Sequence, residues 1–420
     1  MFTGLFTGCG PKWVLSPLAP AKPPLVADSG MVVAAHPLAA EAGVSVLRDG
    51  GNAVDAALAA LFMLNVVEPH ASGLGGGGFA LVRMAEGEAK VVVYREKAPK
   101  AVNPAYYADP ADSMRLRAKS GGSAVCVPGS AAGWAELLDR WGTMPLERLT
   151  RDAIDAADNG FVVDPVLAGQ ISGNLEKIAA DSQLTNTFLK LGALPYEAGD
   201  TLHQPLLAAT FRTLTERGLR SFYRGPIAEA VMSVTSREGN PMSLEDLEFY
   251  RVEVTEPLRV TYRGCELLTV PPPSSGGAVL IESLSLFEAT NATAPGIGTP
   301  ESVHLMSQCI QQAYADAAVR VQDGTDPTAL SKIWSAEHLK TAAASISAKA
   351  KPGAKLPIKD PDTKDIGNTT HLVVVDRFGN AVSLTQSINY FFGAGVMAPG
   401  TGLLLNNELA DFNRLLTAST

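Results

Sequence analysis

The stretch Asn368-Thr369-Thr370-His371 is where the residue types and spacing of this chain could do chemistry. A threonine hydroxyl is a poor nucleophile unless a base takes its proton. One solution is to cut the chain just ahead of the threonine, so that its own freed α-amine serves as that base. The threonine must then open a buried strand and follow a connector able to move aside. Thr369 meets both demands. Leu372-Val-Val-Val375 reads as a buried strand, and the stretch from Ala342 to Asn368 is rich in Lys, Asp and Pro, the composition of a mobile connector. Threonine at a strand start is also ordinary, so the pattern alone leaves the bland reading open.

Other candidate chemistries carry less. Gly73-Leu-Gly-Gly-Gly-Gly78 satisfies G-x-G-x-x-G, with Glu96 roughly where a ribose-binding acid is sought. That fingerprint needs a strand before it and a helix after it, and here the order is reversed. A tight backbone crossing that no side chain would fit is the better reading. Six histidines (His36, His70, His203, His304, His338, His371) include no i, i+4 metal pair and no H-E-x-x-H. No G-x-S-x-G elbow supports a Ser-His-Asp triad, although one sequence leaves a triad open. Cys9, Cys126, Cys265 and Cys309 stand far apart, which argues against a structural metal or a disulfide framework. The last three read as small buried apolar residues. Neither a cofactor nor a metal site is expected.

The elements that must position Thr369 follow from apolar spacing. Gly30 to Ala35 reads as a strand, and Pro37 opens a helix that Gly50-Gly51 closes. Asn52 reads as an N-cap, with Asp55 three residues on, for a helix from Ala53 to Val66 that is apolar nearly all round and therefore buried. Phe79 to Arg83 and Lys90 to Tyr94 form a strand pair, and Gly133 to Ala230 is mainly helical. Val252 to Val260 and Cys265 to Val270 return to strand, before the loop Pro271 to Gly277 and a buried helix at Ala278 to Phe287. After the connector, Leu372–Val375 and Ala381–Ile388 make a hairpin inside a sheet around the turn Asp376 to Asn380. Leu403-Leu-Leu405 is a further strand, and a core ending so soon after it, at Thr420, looks incomplete.

Composition narrows the function. Apolar residues make up 46% of the 420 and charged residues 18%, enough apolar surface to exclude intrinsic disorder. The net charge of −9 argues against a nucleic-acid binder. The longest uninterrupted apolar stretch, Ala56 to Leu64, is about half the ~20 residues of a membrane-spanning helix. The first 29 residues read as a Pro-rich leader, expected to be disordered, although Phe6-Thr7-Gly8-Cys9 resembles the end of a bacterial lipoprotein signal.

Taken together, the motifs resemble the gamma-glutamyltranspeptidase (glutathione hydrolase) family of N-terminal-nucleophile enzymes. The resemblance runs from about Met31 to Asn413. It rests on Gly51-Asn-Ala-Val-Asp-Ala-Ala57, Val67-Glu-Pro-His-Ala-Ser-Gly-Leu-Gly-Gly-Gly-Gly-Phe79, Tyr94-Arg-Glu-Lys-Ala-Pro99, Val127-Pro-Gly129, Gly142-Thr-Met-Pro145 and Pro271-Pro-Pro-Ser-Ser-Gly-Gly277. Thr369-Thr-His371, Asp376 to Asn380 and Leu404-Leu-Asn-Asn-Glu-Leu-Ala-Asp-Phe412 complete the series in order.

The resemblance implies an α/β fold, the four-layer αββα sandwich, as one catalytic domain. Residues 30–368 would form a large-subunit portion, including the connector 342–368, and residues 369–420 the start of a small-subunit portion. The implied activity is cleavage of the γ-glutamyl amide of glutathione and related compounds, with transfer to water or to an acceptor amino acid or peptide. Thr369 matches the nucleophile, and the Asn368–Thr369 bond matches the self-cleavage point that yields a two-subunit heterodimer. Arg95 matches the residue holding the substrate α-carboxylate. Glu408 and Asp411 match the acids for its α-ammonium, and Asn389 a neighbouring amide. Ser387 stands near the nucleophile's amine where the family usually has Thr. Family members continue beyond this ending with a Ser-Ser pair and a Gly-Gly oxyanion turn, so the chain is expected to be a fragment with little activity alone. An extracytoplasmic location is what the family suggests. Two other readings are a cephalosporin or glutaryl acylase-type amidase, which Glu408 and Asp411 disfavour, and an inactive truncated paralogue.

Overall fold

A helix buried on every side sets the plan of the molecule. The computed structural model describes residues 25–107, 116–235, 241–322, 324–347 and 368–412. Strand β1 (Gly30–Val33) leads into α1 (Pro37–Arg48) and α2 (Ala53–Val67), and all 15 residues of α2 are buried. Its entry is fixed by a capping box: Asn52 Oδ1 accepts from the N–H groups of Val54 and Asp55, while Asp55 accepts the N–H of Asn52 at 2.9 Å. Asp55 also accepts the N–H groups of Thr143 and Met144, joining two of the sequence motifs at one buried carboxylate. Asp376 closes the same helix end. Its Oδ2 accepts from Ala53 N–H at 3.0 Å, and its Oδ1 from Phe378 and Asn380.

The remaining strands used here are β2 (Gly77–Arg83), β3 (Ala89–Val93), β4 (Glu253–Thr255), β5 (Leu258–Tyr262), β6 (Cys265–Thr269), β7 (Thr370–Asp376) and β8 (Ala381–Ser387). Six of them form one sheet in the order β1-β7-β8-β2-β3-β4, with every neighbouring pair antiparallel. Thr370, Leu372, Val374 and Asp376 of β7 are buried on one face, which packs on α2, while His371 and Val375 are exposed on the other. Behind α2 lie α3 (Ser130–Trp141), α4 (Leu146–Asn159) and α5 (Pro205–Arg217). Phe62 meets Trp134 and Phe211 edge-on at 4.8 and 5.2 Å.

A second core stands on the opposite side. α6 (Gly276–Ala289), α7 (Pro300–Arg320) and α8 (Ala336–Ser345) pack together, and Ala278, Ile281, Ala313 and Ala317 cover Leu258 and Val260 of the β5–β6 hairpin. The layers are thus helices, six-stranded sheet, hairpin, helices. This is the α/β sandwich expected, with a two-stranded second β layer among the described residues.

Three local expectations change. The strand expected from Val252 to Val260 is broken at Glu256-Pro257, where proline has no N–H for the ladder, and its halves join different sheets. The connector expected from Ala342 starts later, because α8 runs to Ser345 and Ala342 is buried against Leu286 and Cys309. Cys265 is exposed at the start of β6 rather than buried. Residues 1–24 with Cys9, the connector over 348–367, and 413–420 lie outside the described residues. Among the described residues no helix is long and apolar enough to cross a membrane.

Candidate active site

The start of β7 and the end of β8 are cross-strand neighbours, and this pairing brings the candidate chemistry together. Thr369 is exposed just ahead of β7, and Ser387 is the last residue of β8. The Ser387 hydroxyl donates to the Asn368 carbonyl oxygen at 2.6 Å. It accepts from the Asn389 N–H at 2.8 Å and from the Thr369 hydroxyl at 3.4 Å. Asn368 N–H donates to Asn389 O at 2.8 Å, tying the residue ahead of Thr369 to the loop after β8. Asn389 has φ 76°, a left-handed conformation that asparagine tolerates, and its amide donates to Asn407 O at 3.1 Å.

Glycine makes this proximity possible. A Cβ on Gly76 would lie 2.0 Å from Ser387 O, and one on Gly75 would lie 1.9 Å from Leu404 O. The glycine run is therefore the close backbone crossing expected from its order of elements.

The charged part of the site is built where β3 ends. The Arg95 guanidinium pairs with Glu408 and lies 3.8 Å from Glu96 Oε2. Arg95 also sits 5.9 Å from the centroid of the Phe79 ring. Glu408 is buried and stands in a turn placed by two asparagines. Asn406 donates to Gly75 O and Cys126 O and accepts from Glu408 N–H, while Asn407 accepts from Tyr390 N–H. Asp411 is exposed at the rim. Burial, with the Glu408 charge added, pushes the Glu96 carboxyl up to about 8, so that it is protonated near neutral pH.

Arg95, Thr369, Ser387, Asn389, Glu408 and Asp411 all line one groove of about 420 Å³ between the six-stranded sheet and β6. Asn368 adjoins it through Ser387. His371 also faces the groove, with its ring nitrogens taken by Thr385 at 2.8 Å and Ser383 at 3.4 Å. A larger cavity of about 830 Å³ lies apart, between α3 and β4, and holds none of these residues. The sequence assigns Glu96 no role, since the nucleotide fingerprint that would use it has its elements in the wrong order. The available signal was its place beside Arg95 in Tyr94-Arg-Glu-Lys97.

Chemically, the groove offers a hydroxyl next to a polarised peptide carbonyl and, along the same wall, a cation paired with a buried anion. That pair complements a zwitterionic α-amino acid head, whose carboxylate and ammonium would meet Arg95 and Glu408.

Comparison with known proteins places the whole chain beside one family. The family model described as gamma-glutamyltranspeptidase matches residues 39–419. The glutathione hydrolase proenzyme of Bacillus subtilis (strain 168) is 37% identical over 412 residues, covering 93% of this chain and 69% of its own length. The acylase ACY 1 proenzyme of Pseudomonas sp. (strain V22) is 36% identical over 401 residues, covering 93% of this chain and 71% of its own. Among solved structures, Helicobacter pylori gamma-glutamyltranspeptidase superimposes with a TM-score of 0.75 at 32% identity, over 81% of this chain and 100% of that one. Cephalosporin acylase from Bacillus halodurans gives 0.79 at 29% identity, over 94% of this chain and 72% of that one.

Proposed function

Because the chain belongs to the gamma-glutamyltranspeptidase family, we propose that it cleaves γ-glutamyl amides such as glutathione and transfers the γ-glutamyl group, with Thr369 as the nucleophile of both self-cleavage and turnover. The observation that carries this assignment is the Ser387 hydroxyl, which touches both the Asn368 carbonyl oxygen and the Thr369 hydroxyl.

In the uncut chain, Thr369 Oγ attacks the Asn368 carbonyl carbon. The C–N bond breaks, the proton given up by Thr369 Oγ ends on the Thr369 nitrogen, which becomes an amine, and an ester links Asn368 to Thr369 Oγ. The Ser387 hydroxyl donates to the oxygen on which negative charge builds. Water then opens the ester, leaving Asn368 as a carboxylate and Thr369 as a chain end. In turnover the freed amine takes the proton from Thr369 Oγ as it attacks the γ-amide, and the amine of the leaving group departs with a proton. Water, or the amine of an acceptor amino acid or peptide, resolves the γ-glutamyl ester. Arg95 holds the substrate carboxylate, Glu408 and Asp411 its ammonium, and Asn389 borders the glutamyl chain. The two pieces stay together as a large and a small subunit.

The test is mass spectrometry of the purified protein combined with a γ-glutamyl-p-nitroanilide assay. Scission between Asn368 and Thr369, and loss of both scission and turnover in Thr369→Ala, are expected. An uncut protein, or full turnover in Thr369→Ala, would refute the assignment. An acylase reading is kept open by the acylase relatives, and glutaryl-p-nitroanilide separates it, because that substrate lacks only the α-ammonium. A preference for the glutaryl compound would replace the γ-glutamyl reading.

A further inference from the structure

Away from the groove, three side chains from three helices converge in the outer layer. Glu282 of α6, Asp316 of α7 and His338 of α8 place one ligand atom each within 4.8 Å of one another. His338 Nε2 lies 3.0 Å from Glu282 Oε1 and 3.3 Å from Asp316 Oδ2. We propose that this cluster is a divalent-cation site, of the zinc class, that clamps α6, α7 and α8 together.

Two observations favour a cation over a simple hydrogen-bonded trio. First, a single ring N–H at Nε2 serves one acceptor well, yet two carboxylates face it. Second, the Glu282 side chain is 1% exposed and its Oε2 is buried with no hydrogen-bond partner. A carboxylate oxygen buried without a donor is unfavourable, and a bound cation would satisfy it.

A dication bound by neutral His338 and both carboxylates removes each difficulty, and Glu282 then has a use for its second oxygen. Donors about 2.0–2.2 Å from zinc lie roughly 3–3.5 Å apart, the spacing that His338 Nε2 has to each of the two carboxylate oxygens. The surroundings hold the ligands in place. Gln312 donates to Asp316 Oδ2 at 2.7 Å, and Arg320 Nε lies 3.9 Å from Asp316 Oδ1. Ser335 caps the first turn of α8 by accepting His338 N–H at 3.3 Å. Asp316 and His338 remain partly exposed, which leaves a mouth for entry and for water as a further ligand. Close sequence spacing gave no sign of the site, because its members are 34 and 22 residues apart.

The test uses the purified protein stripped with a chelator and titrated with Co²⁺, then Zn²⁺. One Co²⁺ per chain with a visible ligand-field band, displaced by Zn²⁺, and a rise in Tm with Zn²⁺ are expected. Glu282→Gln keeps the side-chain shape and relieves the buried charge, so it should fold while binding Co²⁺ about 100-fold more weakly. His338→Gln should do the same and shift the band of any residual complex. No band with wild-type protein, or a band that persists unchanged in both variants, overturns the proposal. The readout does not depend on cleavage at Thr369, so it stands or falls apart from the assigned activity.

Discussion

The Ser387 hydroxyl donates to the carbonyl oxygen of Asn368 at 2.6 Å, so the last residue of β8 holds the peptide bond that precedes β7. If that contact stabilises the oxyanion of self-cleavage, Ser387→Ala should slow fragment formation about 100-fold. Ser387→Thr, which keeps the hydroxyl, should retain most of the rate. A mass-spectrometric time course after purification measures both, and an unchanged rate in Ser387→Ala would remove Ser387 from the step.

Arg95 and Glu408 are assigned opposite ends of the substrate head, and this makes their variants distinguishable. Arg95→Gln should raise KM by about 10- to 100-fold for γ-glutamyl-p-nitroanilide and for its glutaryl analogue alike, since both carry the carboxylate. Glu408→Gln should raise KM for the γ-glutamyl substrate alone. Equal effects of Glu408→Gln on both substrates would show that it acts through the fold instead of through the ammonium.

Stability should fall as pH rises toward 8. The Glu96 carboxyl is held up to about 8 by burial, above its ordinary 4.5, so the folded state keeps a proton that the unfolded state loses across that window. His70, pushed down to about 4 by burial, acts in the opposite sense below its ordinary 6.5 and is silent above it. The interval from pH 6.5 to 8 therefore isolates the acids. Urea denaturation at those two values should show wild-type protein losing stability and Glu96→Gln losing less, by on the order of a few kcal/mol.

Two glycines should respond oppositely to a methyl group. Gly76→Ala drives a Cβ against Ser387 O, a backbone atom that cannot swing away, and should cost ~3 kcal/mol or more while disturbing Ser387 itself. Gly169, in the helix Pro165–Gly173, has nothing within 4 Å of its Cβ position. Gly169→Ala should gain ~1 kcal/mol from helix propensity alone. Chemical denaturation compares the two.

Much of this arrangement was legible in the residues. The Asn52 cap, the buried α2 and the Asp376–Asn380 turn follow from local pattern, because the groups that satisfy a helix end or a turn lie within a few positions. The side chains of the groove became legible only through ordered motifs. Arg95 and Glu408 are 313 residues apart, and no spacing rule predicts their contact. What remained hidden depended on packing. Glu96 looks like any surface acid until its burial between Gly77 and Arg95 is seen, and the break at Pro257 needed the two sheets to be known.

The strand order has one more consequence. A nick ahead of Thr369 would leave β1, β2, β3 and β4 in one polypeptide and β7 and β8 in the other, with β7 wedged between β1 and β8, and β8 between β7 and β2. The daughters would be laced through a common ladder. They should migrate as a single species through gel filtration and separate only in denaturant. Mixing the two made separately should not restore the native form readily, since the hairpin would have to insert between β1 and β2 in the middle of the sheet.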